Sequence, residues 1–296
     1  MEWFRSQKSP WGQEILIGLS WELLWWAVAA GAALIAGHLV MYFWLLRKPH
    51  AGAGGDEKRG VKGLPARIPR HTGYSRIFHW TTAISALTLL GTSFLPILGL
   101  KFPWVTIHWV AGLVLTAAIV FHIFHTTFGK GLRLMWITLE DLRSRWALVR
   151  SLIGPKSPAP RKTGKNPLEN KLFHHGVAVS TLATIVTGLA MLLKIDTPWW
   201  RRNPHVLSED WWGIIYVVHG IGSVALITLV MVHLYFAARP EKWWITLSML
   251  RGWITRDNYL GHYDPGLWAP APPANQPQAG PKAAGGAAAA KKGAGS

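Results

Sequence analysis

The chain has 296 residues, of which half are apolar, only 15% are charged and 19 are tryptophan. This composition excludes an ordinary soluble globular domain and favours a membrane protein. The formal net charge is +17, but the lysines and arginines cluster between apolar stretches, where membrane proteins carry orientation signals, so nucleic acid is not an expected partner.

Five apolar stretches are long enough to cross a bilayer, because a helix of about 20 apolar residues spans the hydrocarbon. They lie at 23–46, 80–100, 104–128, 172–193 and 212–238. Helices are the expected form, since a backbone in lipid must satisfy its own hydrogen bonds. The sequence therefore predicts an all-α integral membrane protein with five transmembrane helices.

The basic residues between these stretches predict an orientation. The segments 47–76 and 130–171 hold eight and ten lysines or arginines, whereas 101–103 and 194–211 hold one and three. By the positive-inside rule, the two basic segments and the C-terminus are cytoplasmic and the N-terminus lies outside. A bacterial cytoplasmic (inner) membrane is the expected location.

The segments that flank the spans predict a domain organisation. Residues 1–49 form an N-terminal segment that contains the first span, and the tryptophan-rich start of this segment predicts a short interfacial helix. Residues 50–75 are glycine-rich and basic, which predicts a flexible linker. Residues 76–265 hold the other four spans, and the Ala/Pro/Gly/Lys composition of 266–296 predicts a disordered tail.

Several histidines recur at two depths of the predicted bundle. His219 and His233 in the fifth span are fourteen positions apart, an advance of about 1400°, so both rings leave one helix face about 21 Å apart along the axis. His108 and His122 repeat this spacing in the third span. His108 and His219 lie at the outer level, whereas His122 and His233 lie near the cytoplasmic level, where His79 begins the second span.

Polar groups inside a bilayer are costly, so these imidazoles indicate a functional site. Facing imidazoles suit a planar macrocycle whose iron accepts two axial nitrogens. Zinc requires a four-ligand shell, and the chain has no cysteine. Proton relays usually include carboxylates, which the spans lack. Two b-type haems are the favoured interpretation, with His108 and His219 at the outer haem and with His79 and His122 both candidates to face His233.

Four motifs in the same order are similar to the di-haem cytochrome b (gamma) subunit of formate dehydrogenase-N and to the cytochrome b subunits of Ni-Fe hydrogenases. They are RIFHW (76–80), IHWVAG (107–112), KLFHHGVAVSTLATIVTGLAML (171–192) and VHGIGSVALITLVMVHLYFAARPEKW (218–243). The resemblance, which covers about residues 70–265, implies a four-helix transmembrane haem-binding bundle. The first span is then an extra N-terminal transmembrane helix.

The resemblance also implies axial ligands and a function. The outer haem lies between His108 and His219, and the inner haem lies between His79 and His233. His122 departs from this pattern and resembles a ligand of the cytochromes b in quinol-oxidising respiratory complexes, so it stays an alternative inner ligand. Such a subunit anchors a respiratory oxidoreductase in the membrane and transfers electrons between a periplasmic iron–sulfur or multihaem c-type subunit and the quinone pool.

The implied quinone site lies beside the inner haem, where menaquinone or ubiquinone is handled. Its candidate residues begin the fourth span: Glu169, Lys171, His174 and His175. A quinone that gains two electrons must also gain two protons, and histidine is well suited to supply them near neutral pH. The chain itself is expected to hold no primary substrate site.

The sequence is also compatible with two functions of other classes. One is a haemless structural membrane anchor, and the other is a transporter with a histidine-lined pathway. His38, alone in the first span, is interpreted as a packing residue, and a third haem that uses His38 or His125 is disfavoured.

Overall fold

The structure of the protein, a computed structural model, describes residues 3–46, 64–129, 132–153 and 162–270. In chain order its elements are β1 (Phe4–Lys8), β2 (Glu14–Leu19), α1 (Trp21–Met41), β3 (Arg67–Pro69), α2 (Gly73–Phe94), α3 (Trp104–Phe128), α4 (Leu139–Ile153), α5 (Leu168–Met191), α6 (Glu209–Ala238), α7 (Trp243–Arg251), β4 (Trp253–Thr255) and α8 (Arg256–His262). Helices dominate these described parts, as the composition predicts.

Four helical segments in the described residues are long and apolar enough to cross a membrane. They are Trp21–Trp44, Trp104–Phe128, Leu168–Lys194 and Glu209–Ala238. The fifth long helix, α2, has 22 residues but is less apolar because serine and threonine recur along it. It packs along the length of α3 and so completes the bundle. The predicted fold class, a helical membrane bundle with an additional N-terminal helix, is confirmed.

The second predicted span, 80–100, is displaced in the structure. The helix begins earlier, at Gly73, where the Thr72 side chain caps it by accepting the Ser75 N–H at 3.2 Å. It ends at Phe94, before a turn over 95–99 that contains Pro96. The apolar pattern does not predict this helix start because the first turns of α2 carry polar and half-buried or exposed residues.

The long helices pack as neighbours with defined directions. α2 and α3 form one antiparallel pair and α5 and α6 another, since residues near the end of one helix contact residues near the start of the next. α1 runs parallel to α6, and the Thr228 hydroxyl donates to the Ala27 carbonyl at 2.9 Å. The bundle end where α1 and α6 begin is here called the hairpin end, and the opposite end is called the sheet end.

The N-terminal segment forms an antiparallel hairpin of β1 and β2, so the predicted interfacial helix is wrong. Pro10 and Gly12 interrupt the segment with a turn, and the β-branched Ile15 and Ile17 that follow favour a strand. Strand β2 packs on the first turns of α6. The hairpin thereby covers the start of the helix that carries His219.

A small core closes the sheet end. β3 pairs with β4, and the residues buried around this pair form the sheet-end core: Ile68, Ile254, Tyr259, Tyr263 and Trp268. Residues 64–75 of the predicted linker are therefore structured, as are the first residues of the predicted tail, because Trp268 is buried. The remainder of the predicted linker (50–63) and tail (271–296) lies outside the described residues.

Candidate functional site

Two pairs of histidines face each other at two levels of the bundle. At the hairpin end, the ring centres of His108 on α3 and His219 on α6 are 6.4 Å apart. At the sheet end, those of His79 on α2 and His233 on α6 are 6.2 Å apart. Helix α6 therefore contributes one member to each pair, as its fourteen-residue spacing predicts.

These separations suit a single metal ion between the two rings of a pair. Two imidazoles on opposite sides of one ion, at a metal–nitrogen distance of about 2.0 Å, place their ring centres about 6.3 Å apart. Within the described residues, no group of three or more His, Cys, Asp or Glu side chains could hold a metal. Each level thus presents two facing imidazoles, which equals the number of axial nitrogens that haem iron accepts and is too few for a tetrahedral shell.

A threonine from a neighbouring helix holds His108 of the hairpin-end pair. The Thr92 hydroxyl donates to the Thr88 carbonyl at 2.8 Å, so its oxygen is left to accept a hydrogen bond. The His108 Nδ1 lies 2.8 Å from that oxygen. This arrangement places the proton on Nδ1 and leaves Nε2 with a free lone pair for a metal.

The second ring of the hairpin-end pair is held in the same way from α5. The Thr187 hydroxyl donates to the Ala183 carbonyl at 2.6 Å and accepts from the His219 Nδ1 at 3.0 Å. Gly188 lets the ring approach this closely, because a Cβ there would lie 3.3 Å from the His219 Cε1. Both rings are thereby fixed with Nε2 available.

The sheet-end pair is held differently. The His233 ring stacks on Phe173 of α5, with ring centres 5.3 Å apart and planes 17° apart. The His79 ring meets Trp80 edge to face at 5.3 Å. In the parts of the chain that the structure describes, no side-chain hydroxyl bonds to Nδ1 of either ring. Aromatic packing, rather than hydrogen bonding, orients this pair.

His122, the alternative partner of His233, is directed elsewhere. Its Nδ1 lies 3.0 Å from the Tyr74 hydroxyl, and its ring stacks on Phe78 at 4.1 Å with the planes 10° apart. The His125 ring stacks on the Tyr74 ring, with ring centres 3.7 Å apart. The structure brings His79 beside His233 and holds His122 against α2.

The charged quinone-site candidates, Glu169 and Lys171, make ion pairs with α4. The Lys171 Nζ donates to Asp141 at 2.7 Å and to the Trp136 carbonyl at 3.0 Å. Glu169 pairs with Arg145. Helix α4 therefore packs over the start of α5 and neutralises both charges.

The other two candidates, His174 and His175, lie one residue apart with ring centres 5.8 Å apart. The His175 Nδ1 donates to the Lys171 carbonyl of its own helix at 2.7 Å, whereas His174 is partly buried. Phe173, which precedes them, is the residue that stacks on His233. All four candidates therefore begin the helix that packs against the sheet-end pair.

His38 packs against α6 on the side away from the paired histidines. Its Nδ1 lies 2.9 Å from the Tyr235 hydroxyl, and its Nε2 lies 3.3 Å from Arg239. The ring also meets Phe236 edge to face at 4.8 Å. These contacts give His38 the packing role expected from the sequence.

Sequence reasoning missed the two threonines and the Tyr74 hydroxyl. Threonine recurs throughout these helices, and most such hydroxyls bond only to their own backbone, as those of Thr88 and Thr184 do. No sequence signal separates Thr92 and Thr187 from the others. Only the antiparallel contacts of α2 with α3 and of α5 with α6 identify them.

A comparison with family models gives one match, to a family described as prokaryotic cytochrome b561, over residues 70–252. That range is more than half of the chain and includes α2, α3, α5 and α6 with all four paired histidines. The N-terminal hairpin and α1 precede it. No curated protein matches the chain.

Proposed function

Because the chain belongs to the prokaryotic cytochrome b561 family, we propose that it holds two haems b, one between His108 and His219 and the other between His79 and His233. Family membership makes the chain an integral membrane cytochrome b that binds haem b and transfers electrons. The number of haems, the ligands and the electron partners are the proposal.

The spacing of the two histidine pairs is the observation that supports this proposal. Both ring separations, 6.4 and 6.2 Å, match two imidazoles on one iron. Haem b would supply reversible one-electron exchange between these rings. The chain positions the rings, sets the tautomer at the hairpin end through Thr92 and Thr187, and surrounds both levels with apolar helices.

The two levels together would carry electrons across the membrane. Fourteen residues of α6 separate His219 from His233, which corresponds to about 21 Å of helix. The hydrocarbon core is about 30 Å thick, so haems at these two levels would leave only short distances for each electron transfer. With the predicted orientation, the hairpin end faces the periplasm and meets an iron–sulfur or multihaem c-type redox subunit.

The sheet end would then exchange electrons with menaquinone or ubiquinone in a respiratory oxidoreductase complex. The candidate residues Glu169, Lys171, His174 and His175 lie within four positions of Phe173 on α5, and the Phe173 ring stacks on His233. His174 and His175 supply the imidazoles that we propose donate the protons a reduced quinone takes up. Lys171 and Glu169 would position the site through their pairs with α4.

The experiment that tests this proposal is a haem determination on the purified full chain, followed by reduction in vesicles. We expect two haems b per polypeptide and reduction of both by a quinol analogue. A chain without a b-type absorption band would overturn the proposal and favour a haemless anchor. Proton or metal flux in vesicles without any redox partner would instead favour a histidine-lined transporter.

A further inference from the structure

Four cationic or titratable side chains gather at the sheet end beside His79. They are Arg70, His71, Arg76 and Lys165, and they are called the cationic corner below. His71 interacts electrostatically with each of the other three and with His79. Arg76 also precedes His79 by three positions on α2, which is slightly less than one helical turn, so the corner adjoins the helix turn that carries His79.

The fold builds this corner around Gly252. The Gly252 carbonyl accepts the backbone N–H groups of Arg70 at 2.9 Å and His71 at 3.0 Å. Gly252 ends α7 with φ of 86°, a conformation that favours glycine. A Cβ on it would lie 3.6 Å from the Arg76 Nε and Cζ. The junction between α7 and β4 thus holds Arg76 against the other two residues.

Both arginines of the corner have an unsatisfied hydrogen-bond donor. Among the described residues, the only buried side-chain nitrogen or oxygen atoms without a partner are Nε of Arg70 and Nε of Arg76. The remaining contacts of the two guanidinium groups are made to neutral groups: Arg70 donates to the Tyr263 hydroxyl at 2.7 Å, and Arg76 donates to the Leu250 carbonyl at 2.6 Å. Native proteins rarely leave such donors without an acceptor.

No carboxylate of the described residues forms an ion pair with Arg70, Arg76 or Lys165. The nearby Asp264 accepts from the Gly266 N–H instead. Burial, and then the charges of Arg70 and Lys165, lower the pKa of His71 to about 4. Burial and the charge of Arg70 also lower the pKa of Lys165. The positive charge of the corner is therefore buried in part and not balanced by the described carboxylates.

We propose that the cationic corner binds the propionate carboxylates of the haem held by His79 and His233. This inference depends on the proposed function. Haem b carries two carboxylates on one edge of its ring, and these must leave the apolar interior at a helix end. Arginine donates to carboxylates in a fixed planar geometry. The unpartnered Nε donors of Arg70 and Arg76 offer one arginine for each carboxylate.

Optical redox titration and resonance Raman spectroscopy of the haem-loaded full chain test this inference. The variants are Arg76→Gln and Lys165→Gln, each of which removes one charge of the corner. A cation near haem disfavours the ferric state, so its removal lowers the midpoint potential. We expect Arg76→Gln and Lys165→Gln each to lower the midpoint potential of one b-type component only and to shift the propionate-bending bands. Arg76→Lys keeps the charge, so its midpoint potential should stay close to that of the wild type.

Arg67→Gln is the matched control, because Arg67 is exposed on β3, stacks on Trp253 and carries the same charge at the same end. It should leave the potentials and the Raman bands unchanged. Wild-type potentials and bands in both Arg76→Gln and Lys165→Gln would overturn the inference, as would an effect seen only in vesicles with anionic lipid, since lipid phosphate would then be the ligand. A wild-type chain without two haems would overturn the proposed function itself.

Discussion

The two histidine pairs consist of the same side chains but have different surroundings. His108 and His219 each donate to a threonine hydroxyl from a helix next to their own. The sheet-end pair is oriented by aromatic rings and lies beside a cluster of cations. Hydrogen bonds to axial ligands and nearby charge both tune haem iron. If both pairs hold haem as proposed, the two centres on α6 should differ in midpoint potential.

Removal of one histidine from a pair should have the largest effect, because it should change the haem content. His108→Ala or His219→Ala should reduce the haem content from two to one per polypeptide, because the iron at the hairpin end loses one of its two ligands. His79→Ala or His233→Ala should remove the other haem. Haem quantification with redox titration should show which potential disappears in each variant.

His38→Ala is the matched control for these variants. His38 also lies inside a membrane helix and contacts α6, yet it should be dispensable for both haems. If His38→Ala removed a haem, or if a single variant of either pair removed both haems, the pairing would be wrong.

Removal of the threonine hydroxyls should weaken only the hairpin-end centre. Thr92→Val or Thr187→Val leaves the histidine in place but deletes the acceptor of its Nδ1–H. Such loss of an outer hydrogen bond typically weakens metal binding by about 10–100-fold. Haem transfer to an acceptor protein should show faster loss from one of the two sites.

Thr88→Val and Thr184→Val provide controls of the same chemistry on the same helices. Their hydroxyls bond only to backbone carbonyls of their own helix. Both variants should retain haem like the wild type. Equal losses from Thr88→Val and Thr92→Val would indicate a general packing defect rather than a role at the ligand.

Disruption of the ion pair between α4 and α5 should alter the sheet end without loss of haem. The Lys171 and Asp141 side chains are only 11% and 20% exposed, and a hydrogen bond between charged groups contributes about 1.5–3 kcal/mol. Asp141→Asn should loosen α4, so that trypsin cleaves it faster and quinol-dependent haem reduction slows.

The ion pair of Asp196 and Arg202 at the hairpin end provides the control for Asp141→Asn. Its side chains are 67% and 69% exposed. Asp196→Asn should change neither cleavage of α4 nor quinol-dependent reduction. A loss of haem in Asp141→Asn would show that α4 supports the haem site itself.

The smallest expected effect belongs to His122→Ala. His122 contacts Tyr74 and Phe78 rather than His233, so the variant should keep two haems and both midpoint potentials within a small shift. The absorption spectrum and redox titration of the purified variant measure this. Loss of one haem would assign His122, not His79, to the sheet-end iron.

The sequence predicts the bundle and the level of each histidine for clear physical reasons. Apolar length predicts all five long helices, although the bounds of α2 are displaced, and a fourteen-residue spacing returns a helix to the same face. Spacing alone left His79 and His122 as rivals, because both lie at one depth. Only the rotation of α2 and α3 about their axes separates them, and packing sets that rotation.

Features that depend on long-range pairing could not be predicted from local patterns. The pairing of β3 with β4 joins segments that are far apart along the chain, so local composition predicts a linker up to residue 75. Next to this pairing, Gly252 contacts both the Arg70 backbone and the Arg76 side chain. The role of the Thr92 and Thr187 hydroxyls is likewise not predictable from local sequence, because it depends on which helix packs beside them.

The central claim is that each iron is held by one facing histidine pair, and the double variant His79→Ala/His108→Ala tests it most directly. It removes one ligand from each pair and leaves His122, His125 and His38 intact. Haem quantification on the purified chain should give two haems b in the wild type, one in each single variant and none in the double variant. A double variant that still binds a bis-histidine haem would contradict the account.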